Sequence, residues 1–264
     1  MATFGFIGMG NMGSAMMKGL MKIYDKSEII FADANRDRVI SIYNETGVRF
    51  MESNAECVNN AKYIVLAVKP QFYPAVIKNI QNVLKPTQIL ISIAPGWTIE
   101  KLRTELGYDK RIVRAMPNTP ALIGEGMTGV CFDENQFYPE ERDEIMKFFG
   151  AFGRVSKVNE NLINTVTCAS GSSPAYVYMF IEALADSAVR YGMSRQDAYV
   201  FAAQTVAGAA DMVLQTGKHP GELKDMVCSP GGTTIAAVEA LEEHGFRNAI
   251  MKATDACYKK CTEL

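Results

Sequence analysis

A glycine-rich turn near the N-terminus constrains the fold of this chain more than any other feature. Gly8, Gly10 and Gly13 have G-x-G-x-x-G spacing, between an apolar run at 3–8 and a segment at 11–24 whose apolar residues have helical spacing. In such a unit the first glycine permits a tight turn, the second lets a pyrophosphate approach the backbone, and the third lets helix and strand pack closely. The motif therefore predicts a dinucleotide site, and the alternative is a glycine-rich connection that binds nothing.

Short apolar runs alternate with helical segments up to about residue 160. Strands are predicted at 29–32, 63–68, 89–93 and 112–116, and helices at 36–45, at 75–83 and from about residue 98. Continuously apolar strands that alternate with helices are typical of a mainly parallel sheet covered on both faces. Residues 1–160 are therefore predicted to form an α/β domain with a doubly wound, Rossmann-type sheet.

The second part of the chain, 161–264, is predicted to be an all-α domain, because β-branched runs give way to segments rich in Ala and Met. Helices are predicted at about 161–170, 174–191, 195–217, 220–228, 232–243 and 246–261, with Gly192, Gly217 and Gly245 as C-terminal stops. The segment from Ala175 to Val189 is apolar on more than one face, which predicts burial all round and favours an intertwined oligomer.

Charge and cysteine usage narrow the range of partners. A net charge of -2 and a pI near 5.8 provide no broad basic field, so nucleic acid is not an expected partner. The N-terminal residues lack the regions of a signal peptide and no long apolar run is present, so we expect a cytoplasmic chain with no membrane partner. The six cysteines show no CxxC pair and no histidine cluster, so we predict no metal site and interpret them as free thiols in the core.

The end of the second predicted strand carries two conflicting indications of the cofactor. Asp33 could accept a hydrogen bond from the ribose 2'-hydroxyl of NAD, whereas Arg36 with Asn35 could pair with the 2'-phosphate of NADP. We favour NADP because a guanidinium suits a phosphate. Arg36 as a solvated residue at the start of a helix remains the alternative.

Two proline-containing segments follow predicted strands, on the edge where open α/β sheets bind ligands. They are Ala67-Val68-Lys69-Pro70 and Ile93-Ala94-Pro95. Proline stops strand pairing, which could direct backbone groups toward a nicotinamide ribose. Ordinary turns explain the same spacing equally well.

A second glycine-containing helix start, Ser229-Pro230-Gly231-Gly232-Thr233-Thr234, precedes the apolar helix that begins near residue 235. We call this segment the substrate loop. Consecutive amide groups at a helix start bind a small carboxylate, and Ser229 and the threonines add neutral donors next to Gly231 and Gly232. The alternative is a plain N-cap formed by Ser229 or Thr233.

The substrate loop resembles the C-terminal motif of the pyrroline-5-carboxylate reductase family. Blocks similar to that family span nearly the whole chain: Phe6 to Gly13, Ala67 to Pro70, Arg114 to Pro120, Ser170 to Tyr176 and Pro220 to Glu242. The resemblance implies reduction of L-1-pyrroline-5-carboxylate to L-proline by hydride transfer from NADPH, or from NADH, as the last step of proline biosynthesis. It also implies that 161–264 bind substrate and form a homodimer, the building block of a higher homo-oligomer such as a decamer.

The resemblance further implies roles for individual residues. The implied cofactor contacts are Ile7, Gly8, Met9, Gly10, Asn11, Met12, Ala34, Asn35, Asn54, Ala67, Val68, Lys69, Pro70, Ile93, Ala94 and Pro95. Thr233, Thr234 and Glu160 would contact the substrate, and Thr234, as the candidate catalytic residue, would form a hydrogen bond with the ring nitrogen. Two positions depart from the family pattern, since Ser173 replaces a glycine and Met226 stands where some relatives carry a polar residue.

Two other functions fit part of the pattern. A β-hydroxyacid dehydrogenase shares the glycine-rich opening and the helical second half. Enzymes of that kind, however, carry a lysine at the head of the second domain. This chain has Ser170-Gly171-Ser172-Ser173-Pro174 there. A regulator that binds NADPH without turnover is the remaining alternative.

Overall fold

The protein is described by a computed structural model that covers residues 1–263. Its contacts divide the chain into two compact units. The first contains 1–172 together with the chain from residue 257, and the second contains 173–256. The domain division predicted after residue 160 stays a prediction.

An eight-stranded sheet forms the centre of the first unit. The strands are β1 (Ala2–Ile7), β2 (Ile29–Ala32), β3 (Arg49–Phe50), β4 (Ala61–Leu66), β5 (Ile89–Ser92), β6 (Arg111–Met116), β7 (Gly126–Cys131) and β8 (Gly153–Lys157). Their order is β3-β2-β1-β4-β5-β6-β7-β8, and only the β6–β7 pair is antiparallel. The predicted doubly wound, mainly parallel sheet is therefore confirmed.

Helices cover both faces of this sheet. They are α1 (Asn11–Leu20), α2 (Arg36–Thr46), α3 (Asn54–Asn59), α4 (Tyr73–Ile80), α5 (Ile99–Leu106), α6 (Pro139–Gly150) and α7 (Ile163–Val166). Successive side chains of a strand point to opposite faces. Accordingly, Phe4 and Phe6 of β1 pack in one core with Phe148 of α6, whereas Ile7 belongs to a second core with Leu66.

The regular helix predicted at 161–170 is wrong in detail. A short α7 is followed by a π-helical turn at Thr167–Gly171. The hydroxyls of Thr167 and Ser170 donate to the carbonyls of Ile163 and Val166, four residues earlier, and such bonds compete with regular helix geometry.

The second unit is helical, as predicted. It contains α8 (Ser173–Arg190), α9 (Arg195–Thr216), α10 (Pro220–Val227), α11 (Thr233–Glu243) and most of α12 (Phe246–Thr262). Gly192, Gly217 and Gly245 have φ of 96°, 65° and 72° just after helix ends, which confirms them as stops because only glycine adopts this region without strain.

The burial predicted for helix α8 is not reached within one chain, and its burial in an oligomer stays a prediction. Within one chain Ala185 is its only buried residue, and Tyr178, Met179 and Phe180 are exposed. An apolar surface of this kind marks a region that another molecule covers. Separately, none of the helices within residues 1–263 is both long and apolar enough to span a membrane.

Candidate functional site

The first unit has a crevice at the point where the strand order reverses. Strands β1 and β4 are parallel neighbours. After β1 the chain forms β2 on one side of this pair, and after β4 it forms β5 on the other side. Gly8 follows β1 and Ala67 follows β4, so their turns meet at the carboxyl edge. Open α/β sheets bind ligands at this position.

Each of the three glycines of the turn is explained by a different steric feature of its surroundings. Gly8 has φ of 94°, and a Cβ on it would lie 2.5 Å from Val68. A Cβ on Gly13 would lie 2.2 Å from the carbonyl oxygen of Gly8. In contrast, a Cβ on Gly10 would meet nothing within 4 Å, so space beside that backbone is open. Two glycines thus serve packing, and the third leaves room for a ligand.

The start of α1 presents unpaired amide groups to this open space. Gly10 is the N-cap, and no side chain caps the helix. Asp33 holds the turn, since its carboxylate accepts from the amides of Met9 at 2.6 Å and Asn35 at 2.8 Å, and its predicted role as a ribose acceptor stays a prediction. Uncapped amides at a helix start attract anions such as phosphate.

A cleft of about 380 Å³ extends from this turn; we call it the switch-point cleft. Of the predicted cofactor residues, Ile7, Gly8, Gly10, Ala34, Asn54, Ala67, Val68 and Lys69 line it. Asp33, Arg38, Phe72, Ala75, Val76 and Asn79 complete the lining. The other predicted contacts, Met9, Asn11, Met12, Asn35, Arg36, Pro70, Ile93, Ala94 and Pro95, are not among the lining residues and stay predictions.

The two arginines of α2 differ in their surroundings. Arg36 pairs with Glu52 at 2.9 Å and lies over the ring of Phe50, so the predicted phosphate contact would have to break an exposed ion pair. Arg38 lines the switch-point cleft, with its guanidinium 3.9 Å from Asp33. Arg38 was not predicted from the sequence, although it lies only two residues after Arg36.

Glu160 lies in a separate cleft of about 460 Å³ in the first unit, with Gly96, Thr98 and Arg114. We call it the Glu160 cleft. The carboxylate of Glu160 accepts hydrogen bonds from the amide of Ile99 at 2.7 Å and from Arg114 at 3.0 Å. Arg114 is 4% exposed, and its Nε has no hydrogen-bond partner among residues 1–263. The cleft therefore combines a buried cation that retains an unused donor with a carboxylate held at the start of α5.

A buried tyrosine that was not predicted from the sequence joins the ends of β4 and β5. The hydroxyl of Tyr73 lies 3.0 Å from both the Leu66 carbonyl oxygen and the Ser92 hydroxyl. Burial raises the pKa of Tyr73 to about 12, so the hydroxyl stays protonated and donates to Leu66. Tyr73 thus ties together the strand ends that precede the two proline-containing segments.

The substrate loop lies in the second unit. Gly231 has φ of 66°, which favours glycine, whereas a Cβ on Gly232 would lie 2.4 Å from the rotatable hydroxyl of Ser229 and 3.2 Å from its carbonyl oxygen. Gly232 is the N-cap of α11, and no side chain caps this helix. The plain N-cap formed by Ser229 or Thr233 is therefore not observed, and the amides at the start of α11 are left available to an anion.

Two family profiles match this chain. Residues 160–264 match the family described as pyrroline-5-carboxylate reductase dimerisation. Residues 3–96 match the family described as NADP oxidoreductase, coenzyme F420-dependent.

Full-length relatives are similar to the chain throughout. The pyrroline-5-carboxylate reductase of Escherichia coli K12 is 46% identical over 98% of this chain and 97% of its own. The crystal structure of the Coxiella burnetii reductase matches with a TM-score of 0.91 at 33% identity, over 99% of this chain and 98% of that one. The Plasmodium falciparum reductase, solved with NADP bound, matches with a TM-score of 0.88 at 34% identity, over 98% of this chain and 97% of that one.

Proposed function

This chain belongs to the pyrroline-5-carboxylate reductase family, and from that premise we propose that it reduces L-1-pyrroline-5-carboxylate to L-proline with NADPH, the last step of proline biosynthesis. One observation supports this most directly. Two helices, α1 and α11, begin at a glycine N-cap without any side-chain cap. The reaction needs two such anion sites, one for the cofactor phosphates and one for the carboxylate of the substrate.

The first unit fits a dinucleotide. The open space at Gly10 admits a pyrophosphate to the amides at the start of α1, and Val68 and Lys69 line the same cleft after β4. Bound NADPH supplies the hydride. The task of the protein is to hold the cofactor in one position. The close packing at Gly8 and Gly13 supports this because it keeps the turn rigid.

The substrate loop is proposed to bind the ring carboxylate of the imine. Amides at the start of α11 are available, and Gly231 and Gly232 leave the backbone accessible there. The hydroxyl oxygen of Thr234 is proposed to accept a hydrogen bond from the N–H group of the ring iminium. A neutral hydroxyl is a poor general acid near neutral pH, so we assign Thr234 a binding and orienting role, with the iminium already protonated on arrival.

Glu160 is proposed to lie near the product. Its carboxylate is held by Arg114 and by the amide of Ile99, so its position is determined by β6 and α5. The domain division after residue 160 and the higher assembly, such as a decamer, are proposals of the same kind. A cytoplasmic location is also a proposal, which cell fractionation tests.

Steady-state oxidation of NADPH with the five-membered imine tests the function. We expect rapid turnover by the wild-type chain. Thr234→Ala should lower kcat/KM about 10- to 100-fold, because it removes a hydrogen bond to a charged group. Thr234→Ser keeps the hydroxyl and should retain most of the activity.

A matched control is Thr104→Ala on α5, an exposed threonine whose hydroxyl bonds only to the carbonyl of Glu100 four residues earlier. This variant should have wild-type kinetics. Absence of turnover by a folded wild-type chain that binds NADPH would overturn the proposal in favour of a non-catalytic regulator. Activity on a β-hydroxyacid without activity on the imine would favour a dehydrogenase.

A further inference from the structure

Three cysteines from two distant segments of the chain meet in the first unit. Cys168 lies in the π-helical turn, and Cys257 and Cys261 lie one turn apart on the last part of α12. Their three sulfur atoms all lie within 4.8 Å of one another. We call them the cysteine cluster. None of the three is in a disulfide.

The spacing of these sulfur atoms suits ligands of one ion. A zinc–sulfur bond of about 2.3 Å places two tetrahedral thiolates about 3.8 Å apart, so ligation requires movements of no more than about 1 Å. The pair Cys257 and Cys261 has the i, i+4 spacing that puts two side chains on one helix face. Cys168 adds the third sulfur atom from a different segment, which gives the cluster three ligands of a single chemical type.

The surroundings of the cysteine cluster also suit side chains that bind a metal ion. Cys168 and Cys261 are buried, and Cys257 is half-buried, so an ion could enter from the side of Cys257. The hydroxyl oxygen of Ser172 lies 3.4 Å from the Cys257 sulfur. A hydroxyl at this position can donate to a metal-bound thiolate and orient it, as groups around metal ligands commonly do.

We propose that Cys168, Cys257 and Cys261 bind one thiophilic d¹⁰ cation, Zn²⁺ or Cu⁺. Thiolates select these soft or borderline ions over Mg²⁺ and Ca²⁺. Binding releases the thiol protons and joins α12 to the turn at 167–171. Cys261 also lines the Glu160 cleft, so the ion fixes one wall of that cleft without taking part in hydride transfer.

Cobalt titration of the reduced, metal-free, full-length protein under anaerobic conditions tests the proposal. We expect one equivalent of Co²⁺ per chain, with a thiolate-to-cobalt charge-transfer band. Addition of Zn²⁺ should abolish the band, and competition against chelators of Zn²⁺ and of Cu⁺ determines which of the two ions binds more tightly. A wild-type protein with reduced thiols that shows no such band and binds neither Zn²⁺ nor Cu⁺ overturns the proposal.

Variants connect the binding to the cluster. Cys168→Ser and Cys257→Ser should each weaken Co²⁺ binding about 100-fold or more, and Ser172→Ala about 10-fold. Cys228→Ser is the matched control, because it removes a thiol outside the cluster. Circular dichroism and NADPH affinity show whether each variant folds. A band that survives in folded Cys168→Ser and Cys257→Ser, or that is lost in Cys228→Ser, contradicts the assignment; because this readout does not depend on imine reduction, it is independent of the proposed function.

Discussion

Gly10 and Gly13 belong to one turn, but opposite physical reasons require glycine at the two positions. Next to Gly13 a methyl group would collide with the carbonyl oxygen of Gly8, which is backbone and cannot move aside. Next to Gly10 there is open space, and its φ of -71° is one that any residue adopts. We therefore expect stability to depend on Gly13 and the proposed cofactor binding to depend on Gly10.

This difference predicts separate effects of two substitutions. Gly13→Ala should destabilise the fold by about 2 kcal/mol or more through overpacking. Gly10→Ala should change stability by less than about 1 kcal/mol and weaken NADPH binding about tenfold or more, because the methyl group occupies the space of the pyrophosphate. Thermal unfolding and calorimetric titration with NADPH measure the two effects.

Gly150→Ala on α6 is the control, since a methyl group there also meets nothing within 4 Å. It should leave NADPH binding unchanged. Equal losses of NADPH affinity in Gly10→Ala and Gly150→Ala would show that the open space at Gly10 is not the phosphate site.

A second prediction at the scale of single residues concerns Arg38. Because Arg38 lines the switch-point cleft and Arg36 pairs with Glu52, Arg38→Ala should weaken NADPH binding about 5- to 10-fold and leave NADH binding nearly unchanged. Arg36→Ala is the matched variant. If only Arg36→Ala discriminates between the two cofactors in binding titrations, the 2'-phosphate contact predicted from the sequence is correct and the role of Arg38 is wrong.

At the scale of elements, one carboxylate connects α6 to two strands. Glu141 is 5% exposed and accepts hydrogen bonds from Arg111 of β6 and from the amide of Tyr138, and it pairs with Lys62 of β4. Burial by itself would raise the pKa of Glu141, but the hydrogen bonds from Lys62, Tyr138 and Arg111 outweigh it and hold the pKa below its usual value. The ionised carboxylate therefore stabilises the folded state.

The sign of the pH dependence of the folding stability follows from the lowered pKa of Glu141. The stabilisation is fully present above the unfolded pKa of about 4.5 and is lost as the pH falls through the lower pKa of the folded state. Glu141→Gln should cost about 1–2 kcal/mol at pH 7 and less at pH 3, as measured by denaturant unfolding. Glu140→Gln, an exposed neighbour, should be nearly neutral at both values. An equal loss at pH 3 and pH 7 in Glu141→Gln would refute the ion-pair explanation.

The elements that the sequence did not predict have weak local patterns. Strand β7 contains Gly126 and Gly129, β8 is mostly polar and exposed, and β3 has two residues. A Cβ on Gly129 would lie 2.8 Å from Val166, so glycine is required there by packing against α7 rather than by any preference for a strand. Such strands form because the sheet beside them already exists, and single-sequence periodicity does not show that.

At the scale of the whole molecule, the chain forms a homo-oligomer through its helical part. Several apolar side chains of α8, including Met179 at 69% exposed, are open to solvent within one chain. Met179→Glu should therefore place a charge in an apolar interface and lower the oligomeric mass measured by light scattering.

Ile40→Glu is the matched control, because Ile40 is also an exposed apolar residue, at 46%, but lies on α2 of the first unit. The mass of this variant should equal that of the wild type. An unchanged mass in Met179→Glu would mean that another surface forms the interface.

What the sequence determined by itself is local. The spacing of Gly8, Gly10 and Gly13, the apolar strands and the glycine stops each follow from the steric and hydrophobic preferences of residues close together in the chain, and those predictions agree with the structure. The family resemblance followed from the same short blocks.

Only the tertiary structure decided which distant residues meet. It placed Arg38 rather than Arg36 in the switch-point cleft, held Glu160 against Arg114, and brought Cys168 to Cys257 and Cys261. These contacts depend on how strands and helices from separate parts of the chain pack, since burial and packing energy are shared among many residues and leave no fixed spacing in the sequence.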